Sequence, residues 1–475
     1  MRLLDSENLK SSHQTSCFIA KILDQETNNT MTFVKQNSEL LPERIGGPGS
    51  IFDSPGYFRV ASRGRRFRRF IKMKFSHSVF VLAALVLIYF APYGFKAFFH
   101  VTQEAQQESS NVVKPPEYRS CKIDFLESVN DLVEPKDFTD FRNFTQFSLD
   151  YIDKEDVSFG TNMYKPRFGG HQTLQEREKS FYAKDHTLHC GFVNAPGFSS
   201  TGFDLDEKDK TFMSTCKIVV YSAIFGSFDF LRKPAKNKIS DFSLKNICFV
   251  LFVDEKSLST LSTEGNNPDD GGYIDLWRIV IVRNLPFDNM PKNPKVAKFL
   301  GHRLFPSARY SIWIDSKVRL EADPMLMIER FLWRTGSEYA ISNHYVRHCV
   351  WEEAARNLFL KKVTATAVDE QLKMYQSDGL TKFNPSNPNN LLPSYNPESC
   401  LIIRAHTPMS NLYSCVWFNE VVRFTNRDQL SYAYAYVKLR RMNPNSPLYL
   451  YMFKDCERRS MAKPLGHRLP HAVVI

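Results

Sequence analysis

The run Phe75–Phe95, FSHSVFVLAALVLIYFAPYGF, limits what this chain can become more than any other feature. It holds no Asp, Glu, Lys or Arg, and its length is close to the ~20 residues an α-helix needs to cross a ~30 Å hydrocarbon core. Tyr89 and Tyr93 suit the interfacial belt. A cleavable signal would begin near the first residue, not behind a long polar segment, so the run reads as a transmembrane helix and signal anchor. Upstream lie Arg63, Arg65, Arg66, Arg68, Arg69, Lys72 and Lys74, whereas downstream only Lys96 precedes Glu104 and Glu108. That imbalance predicts a cytosolic N-terminus and a luminal remainder. It also localises much of the formal charge of +11, which reads as a membrane flank and not as a nucleic-acid surface.

The expected organisation follows from the anchor. Residues 1–74 form a largely disordered cytosolic tail, basic at its end, and 75–95 the span. Residues 96–160 form a luminal stem and 161–475 a luminal α/β catalytic domain. Of nine cysteines, only Cys17 is cytosolic in this arrangement. The other eight share a compartment where disulfides are permitted, with a connectivity that spacing does not give. Asn143-Phe144-Thr145 is a luminal glycosylation sequon.

Beyond residue 165 the text turns to short apolar runs: Cys216–Ala223, Asn246–Val253, Trp277–Val282 and Tyr310–Ile314. Rich in β-branched and aromatic residues, they read as buried strands of a parallel or mixed sheet. Between the last two, Val296, Phe299, Leu300 and Leu304 fall on one helical face and Lys295, Lys298 and His302 on another. The alternation predicts an α/β domain whose binding crevice lies at the carboxyl ends of the strands.

Chemistry concentrates at Trp313-Ile314-Asp315-Ser316-Lys317-Val318, where a strand ends in an acidic residue. In nucleotide-sugar transferases of the GT-A type, an Asp-x-Asp at such a place holds a divalent cation against the diphosphate. Here Lys317 stands third, so half of the Mn²⁺ or Mg²⁺ motif is present and Lys317 itself offers charge to a phosphate. A plain turn cap explains Asp315 equally well. The turn after the first run, Ser222 to Asp229, has a glycine and serine at Gly226 and Ser227, without a Walker or GxGxxG pattern. Ser222 and Asp254 are candidate nucleotide contacts. Glu420 and Asp428 are candidates for orienting or deprotonating an acceptor hydroxyl, although Asp428 also suits the first turn of a helix, where the dipole favours an anion. In the C-terminal Lys463–Arg468 segment, Lys463 could meet phosphate and His467 the metal. No G-x-S-x-G elbow or HExxH motif occurs.

The segments KIVVYSAIFGSFDFL, YSIWIDSKVRL, PESCLIIRAH, RDQLSYAY and KPLGHR carry a resemblance to a plant family long filed as a domain of unknown function and similar to GT-A glycosyltransferases. It covers roughly residues 165–470. The family includes a mucilage hexosyltransferase of the Golgi and a turgor-regulation alkaline ceramidase, and the length and layout here look more like the latter. The resemblance implies a GT-A-like fold, a Rossmann-like mixed sheet with flanking helices. It implies a type II membrane enzyme of the Golgi, or endoplasmic reticulum, that takes a nucleotide sugar and a glycan acceptor. Alternatively it implies ceramide hydrolysis, which needs an apolar slot for two alkyl chains; the incomplete metal motif leaves a non-catalytic carbohydrate- or lipid-binding module as a third reading. A crevice lined by Ser222, Asp254, Asp315 and His467 would favour sugar transfer. A deep apolar channel would favour ceramide.

Overall fold

The structure, a computed structural model, describes residues 120–135, 144–155 and 168–468. The expected tail, span, basic flank and first part of the stem lie outside the described residues, as does Asn143. Among the described residues no helix is long and apolar enough to cross a membrane.

Among the described residues twelve strands follow in chain order: β1 (Leu149–Tyr151), β2 (His186–Leu188), β3 (Ile218–Ile224), β4 (Cys248–Val253), β5 (Tyr273–Ile274), β6 (Trp277–Ile281), β7 (Tyr310–Ile314), β8 (Val318–Leu320), β9 (Tyr339–Asn343), β10 (Pro397–Ala405), β11 (Leu450–Phe453) and β12 (Ala462–Pro464). Eight form one mixed sheet in the order β11-β9-β10-β7-β3-β4-β6-β5. The four apolar runs marked in the sequence are its parallel centre, β6, β4, β3 and β7. Strand β10 runs antiparallel to both β7 and β9.

The centre is buried on both faces because successive side chains point to opposite sides. Val219, Tyr221 and Ala223 enter one apolar cluster with Val250, Phe252 and Trp313. Val220 and Ile224 enter the other, with Leu251, Ile312 and Ile314. Fully burying side chains of this size stabilises by about 1.5–3 kcal/mol each, which is why these runs do not alternate with polar residues.

From β3 the chain steps outward through β4 to β6, then returns to the opposite side of β3 as β7. The strand order therefore reverses between β3 and β7, and their carboxyl ends flank the crevice where open α/β sheets bind ligands. The return passes through helix Asn293–Phe299, which breaks at Leu300 before a short turn, Gly301–Leu304. Gly301 is required there, since a Cβ would lie 2.2 Å from the Tyr221 hydroxyl. The sequence assigns Lys295 and Lys298 to a polar face of this helix, yet Lys298 is buried. Both faces are covered.

Among the described residues six cysteines pair, as Cys121–Cys456, Cys190–Cys415 and Cys216–Cys248, while Cys349 and Cys400 are buried and unpaired. The first pair ties the start of the described chain to helix Asp455–Met461, from which β12 returns to pair antiparallel with β8. The C-terminal segment thus lies beside Asp315-Ser316-Lys317, with the Leu465 amide donating to the Lys317 carbonyl at 2.9 Å.

Candidate active site

Alternation at the end of β7 divides its three following residues between two neighbourhoods. Asp315 and Lys317 line a polar cavity of about 210 Å³, together with Lys295, Lys298, Arg347, Glu353, Arg356, Lys362, Glu398, Arg427 and Asp428. Ser316 faces the C-terminal segment, where its hydroxyl donates to Asp229 at 2.5 Å.

The floor of the cavity is a chain of alternating charges. The Lys298 ammonium lies 2.7 Å from Asp428 and 3.4 Å from Asp315, and donates to the Ser399 hydroxyl at 3.0 Å. Lys295 adds a second contact to Asp428 at 3.1 Å, and Lys317 a second to Asp315 at 3.4 Å. Lys295 and Lys298 reach Asp428 together because residues three apart share a helix face. Asp315 also accepts from the Trp313 indole at 2.8 Å. Burial alone would raise both carboxyls, but Lys298 and Lys317 hold Asp315, and Lys295 and Lys298 hold Asp428, below the usual carboxylate range. Lys295 is pushed down to about 8, burial outweighing the attraction of Asp428.

The walls repeat the pattern. Glu353, on helix Val350–Phe359, takes Arg347 at 2.7 Å and the amides of Asn357 and Asn396 at 2.7 and 3.1 Å. His344 accepts two backbone amides on its Nδ1. Burial and then the neighbouring Arg347 push it down to about 4, so it is neutral at physiological pH. Three cations lack a carboxylate within ion-pair distance among the described residues: Arg356, Lys362 and Arg427. Arg427 stands at the N-cap position of helix Asp428–Met442, and its buried Nε has no hydrogen-bond partner among the described residues. Glu398, at the start of β10 where the pairing with β9 shifts register, is the one lining carboxylate whose oxygens make no hydrogen bond or ion pair among the described residues. Seven cationic side chains against four carboxylates leave an excess of three positive charges.

The structure gathers the sequence candidates unevenly. Asp315, Lys317 and Asp428 share the cavity. Asp428 does not sit free as a base: it is buried and already held by two ammonium groups, and its place in the first helical turn is the plainer reason for an acid there. Glu420 belongs elsewhere. It is 1 % exposed and locked to Arg177 at 2.6 Å, out of reach of an acceptor. Asp254 caps helix Glu255–Thr263 through the Ser257 amide and accepts the Gly226 amide with both oxygens at 3.1 Å, so its role is to hold the turn after β3. Ser222 is buried, and its hydroxyl has no hydrogen-bond partner. It lines a gap of about 10 Å³ with Leu251, Trp277 and Ile314, room for about one water and none for a nucleotide. Lys463 is exposed on β12. His467 bonds Asp229 at 2.7 Å through Nδ1. Asp229 stays below its usual range despite burial, because His467 and Ser316 bond its carboxylate.

A divalent cation does not fit this donor set. Of the expected pair, Asp315 and His467, no direct contact is present among the described residues: His467 bonds Asp229, a carboxylate on which the charge of Asp315 also acts. Asp315, the carboxylate at the strand end, is already neutralised by the Lys298 and Lys317 ammonium groups, and a hard cation would have to displace them. The three-residue cluster of Cys190, His302 and Cys415 has metal-ligand spacing among the described residues, but its two sulfurs are joined to each other.

The residues missed in the sequence, Glu398, Lys362, Arg356 and Arg427, stand far apart in the chain. The quoted segments PESCLIIRAH and RDQLSYAY contain two of them, but no local pattern marks their convergence.

A second cleft, of about 810 Å³, is lined by Phe192, Phe203, Leu205, Met213 and Leu304 among others. Met213 and Leu304 stand just before β3 and β7 begin, which puts it at the opposite edge of the sheet. Its acid, Asp204, already accepts from Ser200 and Asn284.

Residues 149–467 match the TOD1/MUCI70, glycosyltransferase-like domain. Among curated proteins, the probable hexosyltransferase MUCI70 of Arabidopsis thaliana is 42% identical over 326 residues, 68% of this chain and 54% of its own length. The alkaline ceramidase TOD1 of the same plant is 34% identical over 278 residues, 56% of this chain and 57% of its own. The chain thus spans about half the length of the curated relatives it matches. Among solved structures, an apo form of the WbbM bifunctional glycosyltransferase aligns over 57% of this chain and 43% of that one. Its TM-score of 0.29 and 10% identity are too low to argue from.

Proposed function

The chain belongs to the TOD1/MUCI70 glycosyltransferase-like family, and from that premise we propose that it transfers a hexose from a nucleotide sugar to a glycan acceptor. The observation that carries this reading is the pairing of an unbonded carboxylate, Glu398, with an excess of fixed cations at the point where the strand order reverses. Sugar transfer with a protein base uses both. The bond between the anomeric carbon and the diphosphate oxygen breaks as the acceptor oxygen bonds to that carbon. The acceptor's proton must leave, and negative charge grows on the departing diphosphate. Glu398 is the cavity carboxylate free to take the proton, and Lys317, Lys362 and Arg427 face the growing charge. Asp315 and Asp428 act through the lysines, fixing Lys295, Lys298 and Lys317 in place.

The three disulfides support the luminal, type II arrangement drawn from the sequence, since such bonds persist in oxidising compartments. Ceramide hydrolysis is the activity named for one relative. A cavity lined by seven cations suits an anionic group and not two alkyl chains, and the acid of the more apolar cleft is already occupied by hydrogen bonds.

Full-length protein incubated with a panel of nucleotide sugars is expected to release nucleoside diphosphate, slowly with water and faster with a glycan acceptor. Glu398→Gln should lower kcat while leaving donor binding intact. Failure of every nucleotide sugar to bind, alongside fatty-acid release from ceramide, would sink the transferase reading.

A further inference from the structure

Taking sugar transfer from a diphosphate donor as the reading it rests on, we infer that this site binds the diphosphate without a divalent cation, through lysine and arginine side chains fixed around the position a metal ligand would take. Lys317 stands third after β7, where a second acid would complete a cation site. Its ammonium is already positioned by Asp315 at 3.4 Å, and Asp315 in turn by Lys298 and the Trp313 indole. A point charge held in this way supplies what a metal supplies to a leaving group, namely positive charge in place before the reaction.

Two further cations complete the cradle from other elements. Lys362 follows helix Val350–Phe359, and Arg427 opens helix Asp428–Met442. Among the described residues no carboxylate within ion-pair distance relieves either. The Lys362 ammonium is driven down from its ordinary value by partial burial, then by the like charges of Arg427 and Lys317. Cations that crowd each other in one polar cavity, with a buried guanidinium Nε lacking any acceptor, lower their mutual repulsion when an anion enters. Arg427 offers a planar fork suited to phosphate oxygens, and the two lysines offer movable point charges. A neutral glycan would leave that repulsion in place, so the cradle selects the diphosphate half of the donor.

The test is calorimetric binding of inorganic pyrophosphate, UDP and GDP to the full-length chain, once in EDTA and once with Mn²⁺. Pyrophosphate and at least one nucleotide should bind in EDTA, with affinity unchanged to within about twofold by Mn²⁺. Each of Lys317→Ala and Lys362→Ala should weaken binding about tenfold or more, the worth of a hydrogen bond to a charged group. Lys362 is exposed, so its substitution keeps the fold and guards against a misfolded Lys317 variant. Binding seen only with Mn²⁺ overturns this inference and leaves sugar transfer standing. Binding in EDTA that neither variant weakens also overturns it. Tight binding in EDTA with no turnover of any nucleotide sugar supports the cradle while removing the transferase reading. No binding of any probe in either condition removes both.

Discussion

The two flanks of the strand β7 end are built from adjacent residues and hold opposite kinds of chemistry. On one, Asp315 and Lys317 open into a cavity of about 210 Å³ crowded with charge. On the other, Ser316, Asp229 and His467 close a latch that ties the C-terminal segment to the turn after β3. A side-chain period of two at a strand end suffices to separate them. The comparison teaches that proximity in sequence to an acidic strand end does not assign a residue to the site. His467 is placed by the latch, and distant Glu398, Lys362 and Arg427 by the cavity.

The comparison can be broken at several points, beginning with the largest effect. On the cavity side, Glu398→Gln is expected to lower kcat by about 10²–10⁴, the usual worth of a positioned base, with little change in thermal midpoint. A loss confined to KM would assign Glu398 to binding instead. Asp428→Ala should destabilise the fold by about 3–5 kcal/mol, because it leaves the buried Lys298 without its nearest carboxylate. Denaturant unfolding measures this directly, and a near-neutral result would mean that the lysines are not held as described. Glu420→Ala strips buried Arg177 in the same way, so it should cost similar stability yet leave the kcat of the remaining folded protein unchanged.

A third test uses pH. Lys295, facing Asp428, Lys298, Asp315 and Arg427, is pushed down to about 8 from 10.5. Its charge favours an anion, so pyrophosphate affinity should fall as pH rises through about 8, and Lys295→Met should remove that limb. The stability effect has the opposite sign. Between about 8 and 10.5 the unfolded chain holds the extra proton, so this lysine's contribution to stability rises with pH.

The smallest effect belongs to the latch. His467 is 63% exposed against Asp229 at 7%, so His467→Ala should cost only about 0–1 kcal/mol, as exposed ion pairs do. It should not change any dependence on Mn²⁺. A loss of metal-stimulated activity in this variant would return His467 to the role of ligand.

The centre of the fold was legible because β3, β4, β6 and β7 are buried on both faces and therefore appear as mostly apolar runs, each with at most one polar residue. Strand β9 ends in Ser342 and Asn343, and β11 is only four residues long, so neither leaves an apolar run as long as those of the centre. Asp315 could be marked because it ends such a run. Lys298 could not, because helical periodicity gives the face a residue occupies but not whether a buried acid waits opposite it. Glu398 was hidden for a related reason. Its distinction is the absence of a partner, which only the packed structure reveals. Asp428 and Glu420 are both committed to cations that lie far away in the chain, which neither local sequence reveals.

The most direct measurement is a crystal structure of the protein with bound UDP or GDP, grown in the presence of Mn²⁺. The account predicts the diphosphate within hydrogen-bond distance of Lys317 and Arg427, in the cavity that Glu398 lines. A diphosphate held instead by His467 and Asp229 on the other side of Ser316, or a metal bridging it to Asp315, would contradict it.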